Sequence, residues 1–520
     1  MTLSTIDIAI VVLYAVGIFA LAQWVSREKS GHEKNTKDYF LAGQALPWWA
    51  IGASLIAANI SAEQIIGASG SGYAIGLAIA SYEWMAAITL IIVGKYFLPI
   101  FLKHKIYTMP QFLEQRYDHN VRTIMAVFWI GIYVFVNLTS VLWLGALAIN
   151  TVTGVELLYG LLGLGIFAGA YSLYGGLKAV AMTDIIQVVL LVFGGLVIAY
   201  ITLNQISGGA GVIEGFSQLM DKAPEKFDLI LSPDNPHYAS LPGLSVLVGG
   251  LWIMNLSYWG FNQYIIQRAL AAKNIGEAQK GIVFAAFLKL LMPLIVVLPG
   301  IAAFVLAPDL EVPDQAYPVV MKLLPVGLKG LVFAALLAAI VSSLASMVNS
   351  ISTIFTLDIY SFYKNGSDET QLVTVGRTVS ILALVVAMIT AKPLLGNFDQ
   401  AFQYIQEFTG FFTPGIVAIF ILGLFWKGAK TKGALAGAIG SAALSLTLKL
   451  VWPELPFIDR VGVVFVACTA IAVLISKYAG KIEPETNMDN DGIDFSTSNG
   501  FNVASLAVII ILFALYATWW

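Results

Sequence analysis

Asn59, Ser61, Glu63 and Gln64 fall within six positions of one another, in the middle of an apolar stretch that begins near Trp48 and is apolar again from Ile65 to Gly72. A polar group at bilayer depth is costly unless something satisfies it, so this run predicts a broken helix lining a wet or liganded cavity. Glu83 and Lys289 sit inside two further apolar stretches, where each alone has a bland reading: Glu83 as a buttress between helices, Lys289 as a lysine reaching back to the interface. Taken together they are a carboxylate and an ammonium that could neutralise each other and still offer hydrogen bonds to an uncharged guest. Gln64, Asn255 and Gln406 supply amides that both donate and accept, which suits a polyhydroxylated ligand, although helix-to-helix hydrogen bonding is the default role of such amides. Tyr258 offers a ring to stack on the apolar face of a sugar. An anionic solute would call for arginine, and none is expected at mid-span. Ser342, Ser346 and Ser350 share one helical face beside Ser343 and Asn349. Such a ladder ordinarily serves close packing, but next to the free carbonyls of an unwound helix it would form an all-oxygen nook for a hard monovalent cation. Asp184, in Thr183-Asp184-Ile185-Ile186-Gln187, has an ordinary explanation as a first-turn cap and is kept as a cation-exit candidate.

The elements that must position these groups are membrane helices. Hydrophobic residues make up 58% of 520 and charged ones 11%, and segments of about 20 apolar residues, the length that crosses a bilayer, recur throughout. Alternating ten-residue strands are not seen, which excludes a barrel. Fourteen spans are expected, near residues 5–26, 47–72, 77–101, 121–150, 155–174, 181–203, 242–268, 279–307, 322–360, 373–392, 398–425, 429–451, 459–476 and 500–519. Basic residues, among them Arg27, Lys29, Lys34, Lys37, Lys178, Arg268, Lys273, Lys477 and Lys481, fall on one face in this count. That face is read as cytoplasmic, with both termini on the opposite side. The first segment lacks a basic leader and a cleavage site and is read as a retained helix.

The two most interrupted spans, 47–72 and 242–268, each open a set of five helices. An odd number per set inverts the second, so one membrane domain is expected: an extra helix (5–26), two inverted repeats (47–203 and 242–425) and three C-terminal helices (429–519). Secondary transporters are commonly built this way, with solute and ion held where two broken helices meet. Enzymatic readings fare poorly. The four histidines (His32, His104, His119 and His237) are scattered, without metal-ligand spacing, and no phosphate-binding loop follows a strand. Cys468 is the only cysteine. No cofactor, nucleic acid or obligate protein partner is expected; a net charge of −3 offers no basic surface.

The stretch Asp38-Tyr39-Phe40-Leu41-Ala42-Gly43-Gln44-Ala45-Leu46-Pro47-Trp48-Trp49, continued at Ala58 to Gln64 and Ser81-Tyr82-Glu83-Trp84, resembles the sodium:solute symporter family, in its sugar-transporting branch. Thr183 to Gln187, Asn262 to Leu270 and Ser342 to Tyr360 extend the resemblance over nearly the whole chain. It implies a LeuT-type core and sodium-coupled uptake of a neutral aldohexose, galactose or glucose, in a bacterial cytoplasmic membrane. It further implies that Gln64, Glu83, Asn255, Lys289 and Gln406 hydrogen-bond the sugar, and that Tyr258 stacks beneath it as the inner gate. Tyr82 and Phe402 would form an apolar outer gate. The carbonyls of Ala57, Ile60 and Ala339, with the hydroxyls of Ser342 and Ser343, would hold sodium. Two positions depart from the family's pattern: Ala68, where a larger apolar gate residue is expected, and Ala86, where a hydroxyl is.

Overall fold

Continuous apolar sequence in lipid has one way to satisfy its backbone without closing a barrel, which is helix, and the computed structural model is helical over most of its described residues. It describes residues 3–25, 44–106, 108–364, 366, 368–396, 400–479 and 492–520, with the side chains of 173–182 left aside. The start of the family-like stretch at Asp38 to Gly43, His32, and the basic residues Arg27, Lys29, Lys34, Lys37 and Lys481 lie outside the described residues. Among the described residues, 10 helices are long and apolar enough to cross a membrane, and up to 12 if each of two bent pairs counts as one span.

The expected first break is present. Trp48–Asn59 and Glu63–Ala74 meet at 59°. Between them Ile60 leaves helical geometry (φ −72°, ψ 73°), Ser61 N–H turns back to the Asn59 carbonyl, and the Ser61 hydroxyl takes the Glu63 N–H. Polar side chains supply what the interrupted ladder lacks. The second interrupted stretch divides into Leu244–Val248, Gly250–Leu256 and Gln263–Leu270, with extended backbone at Asn262 (φ −81°, ψ 120°). Leu46, at the entrance of the first broken helix, exchanges backbone hydrogen bonds with Ala271 and Lys273, at the exit of the second. One therefore enters the membrane where the other leaves it, and the two run antiparallel.

Two boundaries differ from the sequence reading. The span expected as 398–425 is a bent pair, Ala401–Thr409 and Thr413–Phe425, meeting at 47°; Pro414, in the first turn of the second helix, has no N–H to carry the backbone ladder across the bend. The serine-bearing helix starts at Leu328 rather than near Lys322, because Pro325 and Gly327 (φ 88°) form the turn ahead of it. Asp7 of the N-terminal helix Thr5–Val25 then accepts the Gly327 and Gly330 N–H groups at 2.8 and 2.9 Å, a carboxylate on a helix N-terminus. Over the two spans expected at 155–174 and 181–203, helical hydrogen bonding runs on from Leu157 to Ile206, yet the hydroxyls of Tyr171 and Thr183 are hydrogen-bonded. Twelve residues of straight helix rise about 18 Å, so the chain bends sharply between them into two apolar legs, Leu157–Ser172 and Thr183–Ile206.

Candidate functional site

A cavity of about 70 Å³ opens where the breaks converge. The first broken helix contributes Asn59, Glu63 and Gln64, the next helix Tyr82, Glu83 and Ala86, and the second broken helix Asn255, Tyr258 and Trp259. Lys289 enters from the helix Ile275–Leu306, and Phe402, Gln406 and Thr409 come from the bent pair. Gln64, Glu83, Asn255, Tyr258, Lys289 and Gln406, singled out from the sequence, thus share one chamber.

Lys289 is 1% exposed and its ammonium turns into the chamber toward Glu83, so of its two readings the pairing with Glu83 holds and the reach back to the interface does not. Nζ donates to Glu83 Oε2 at 2.5 Å and to the Asn59 side-chain carbonyl, and it sits 4.9 Å from the centre of the Trp259 ring. Ion pair, amide oxygen and ring face together replace the water that a buried ammonium would lose. Glu63 was not assigned a role from the sequence. It is buried, and Gln406 Nε2 donates to its Oε1 at 3.4 Å. The signal was present, since Asn59 and Glu63 stand in the same polar run as Gln64, but nothing in that run says which side chains turn inward. Among the described residues the Gln64 amide oxygen has no partner and Asn255 Nδ2 bonds only its own helix, at the Leu251 carbonyl, 3.1 Å away. Hydrogen-bonding capacity is therefore left facing the chamber.

Aromatic residues flank it. The rings of Tyr82 and Phe402 meet edge to face at 5.1 Å. Tyr258 accepts from Asn59 Nδ2 at 3.1 Å and from the Tyr264 hydroxyl at 2.9 Å, so it ties the two broken helices together. The helix carrying Phe402 and Gln406 begins on Asp314, whose Oδ2 accepts the Ala401 N–H at 2.9 Å. Asp314 in turn lies directly on Gly70 of the first broken helix, where any Cβ would collide with the Asp314 backbone at 2.8 Å.

The cation candidates form a second cluster. Ser61 N–H, which would continue the helical ladder to the Ala57 carbonyl, goes to Asn59 instead, and the backbone leaves helical geometry at Ile60. Ser343 donates to the adjacent Ala58 carbonyl at 3.4 Å, and Ala339 lies fully buried one turn earlier on the same helix. Ser342 turns elsewhere, donating to Asp184. Ser346 and Ser350 bond back to the carbonyls of Ser342 and Ser346.

Asp184 is not a helix cap. Helical hydrogen bonding runs on through it, and its carboxylate takes the hydroxyls of Ser54, at 2.7 Å, and Ser342, with Arg268 Nη2 at 3.8 Å. Arg268, expected at a cytoplasmic loop, is fully buried. It donates to the Ser54 carbonyl and hydroxyl at 3.1 and 3.0 Å, to Ser346 at 2.6 Å and to the Tyr264 carbonyl. An arginine does lie within a span, then, but it binds protein groups and does not line the chamber. Among the described residues no group of histidine, cysteine and acidic side chains could hold a metal by itself.

Comparison with known proteins bears on the family and the fold. Residues 39–440 match the profile of the sodium:solute symporter family. The chain is 53% identical to a sodium/glucose cotransporter of Vibrio parahaemolyticus, over 100% of this chain and 99% of that one. It is 36% identical to a sodium/myo-inositol cotransporter 2 of Bos taurus, over 88% of this chain and 71% of the relative. Among solved structures, a sodium-coupled sialic acid symporter in a substrate-bound, outward-open state shares the fold with a TM-score of 0.80 at 23% identity, covering 91% of this chain and 98% of that one. A nucleobase-cation-symport-1 family transporter superimposes with a TM-score of 0.56 at 12% identity, covering 91% and 99%.

Proposed function

From a chain that belongs to the sodium:solute symporter family, we infer a secondary active transporter that couples sodium entry to uptake of a neutral aldohexose, glucose or galactose, by alternating access. The observation that carries this is the chamber itself: a neutralised Glu83–Lys289 pair beside the unpartnered amide oxygen of Gln64 and the amides of Asn255 and Gln406. Paired charges plus two-way hydrogen bonders suit a hydroxyl-rich, uncharged solute, because each sugar hydroxyl both donates and accepts. A wall of arginine, which a carboxylate would call for, is absent from the described lining. The 53% identity to a sodium/glucose cotransporter supports the sugar.

In this reading Gln64, Glu83, Asn255, Lys289 and Gln406 hydrogen-bond the sugar. Tyr258 stacks beneath it and closes the inner side, while Tyr82 and Phe402 close the outer side. Sodium is held by the carbonyls of Ala57, Ile60 and Ala339 with the hydroxyls of Ser342 and Ser343, joining the broken helix to the serine helix. For Ser342 this requires a turn away from Asp184, which would lie on the ion's way out. An ion bound there favours the sugar-competent arrangement, and by linkage sugar strengthens sodium binding equally. Moving one charge inward through 100 mV supplies about 2.3 kcal/mol. The wider organisation is two inverted five-helix repeats, 47–203 and 242–425, in a bacterial inner membrane with both termini outside; the antiparallel course of the broken helices supports it.

The test is uptake of labelled galactose into sealed proteoliposomes with and without an inward sodium gradient at fixed pH, competed by glucose, galactose, myo-inositol and amino acids. Accumulation above equilibrium that needs sodium and yields to hexoses is expected. Uptake that only equilibrates would point to a passive pore, and competition by an amino acid alone to another solute.

A further inference from the structure

A second cavity, of about 280 Å³, lies apart from the sugar chamber. Tyr14, Ala15 and Ile18 of the N-terminal helix wall one side, and Phe167 and Val341 the others, with Gln187 reaching in from the leg Thr183–Ile206. Its described lining carries no charged residue. Gln187 is 1% exposed, yet among the described residues neither its amide oxygen nor its nitrogen has a hydrogen-bond partner, and the Tyr14 hydroxyl has none either. Buried polar groups of native proteins are satisfied, so an orphaned amide and hydroxyl on one apolar chamber mark a missing partner. Tyr159, which also lines the cavity, is 63% exposed, so the chamber opens to the surface of the protein where the leg Leu157–Ser172 begins.

We propose that this cavity binds a neutral amphiphile drawn from the bilayer: an apolar body of about ten carbons, against the single benzene ring that a cavity of about 150 Å³ takes, headed by a hydroxyl or carbonyl that pairs with Gln187 and Tyr14. Water could satisfy the amide but would leave the remaining apolar wall uncovered. A phosphate head would need a cation, and the described lining offers none. Gln187 stands one turn beyond Asp184, which holds Ser342, so the occupant presses on the helix that carries the cation candidates.

The probe is a diazirine-bearing octanol, photolysed on the full-length protein in phosphatidylcholine nanodiscs and mapped by peptide mass spectrometry. Saturable labelling of the segments around residues 11–18, 159–171 or 337–341 is expected, and excess plain octanol should remove it. Ala15→Trp, which fills the cavity from the peripheral helix, should abolish it. Gln187→Leu should weaken half-saturation about three- to ten-fold, the effect of losing one neutral hydrogen bond. Labelling that does not saturate and spreads over the lipid-facing surface would overturn the proposal. So would saturable labelling indifferent to both substitutions, or an unlabelled cavity, which would mean that water alone occupies it. None of these readouts depends on transport, so the proposal and the sugar assignment fail separately.

Discussion

Replacing Lys289 by methionine keeps most of the side-chain volume and removes one charge. Glu83 is 5% exposed and its Oε2 has Lys289 Nζ at 2.5 Å, so the change strands a carboxylate and also takes a partner from Asn59. Breaking a buried pair by removing one member costs about 3–5 kcal/mol, against a net of about zero when both charges go together. Lys289→Met should therefore lower the folding equilibrium roughly a hundred- to several-thousand-fold, and the double variant Lys289→Met with Glu83→Gln should recover most of that loss. Transport should not recover, because the double variant still lacks the ammonium that faces the sugar. The assay is paired: unfolding in detergent by tryptophan fluorescence, and sodium-driven galactose uptake in proteoliposomes. If Lys289→Met is as stable as the unaltered protein, or the double variant is as unstable as the single one, the pair is not what accommodates these charges. If the double variant transports normally, neither residue binds sugar.

Ser343→Ala should weaken sodium activation of uptake about ten- to a hundred-fold, the effect of losing one polar contact to a charged ligand, as read from the sodium concentration giving half-maximal rate; unchanged sodium dependence would reject this coupling route. Asp314→Ala removes the carboxylate on which the Phe402 helix starts, a loss of about 0.5–2 kcal/mol for a cap. It should speed labelling of an Ala68→Cys variant by a membrane-impermeant thiol reagent about two- to thirty-fold, with little background because Cys468 is buried. Arg268→Gln alone should destabilise by about 3–5 kcal/mol by stranding Asp184, and Arg268→Gln with Asp184→Asn should restore much of it, measured by the same unfolding assay. Tags on either terminus should react with antibody on intact spheroplasts if both lie outside; reactivity only after lysis would reverse the topology.

The break at Ala57 to Gln64 was legible because polar side chains within an apolar run have no other tolerable explanation in lipid. The bend at Gly410 to Phe412 was missed, because glycine and proline are frequent in membrane helices and rarely break them. Ser342 shows the limit of spacing arguments. Its place on the helix face was readable, but its hydroxyl turns to Asp184, a choice made by a residue 158 positions away.

Membrane residence, the approximate spans and the family were determined by the residues in order, because apolar length and local motifs are properties of the chain in one dimension. Which partner each charge finds was decided only by tertiary structure: Glu83 pairs with Lys289 and Asp184 with Arg268, while Glu63 accepts from the neutral Gln406 amide. An ionisable group in lipid announces that it needs a partner, but the partner's identity depends on which helices come within a few ångströms at the same depth. The chamber of orphaned groups around Gln187 belongs to that second class as well, since no sequence pattern marks a polar side chain whose partner is missing.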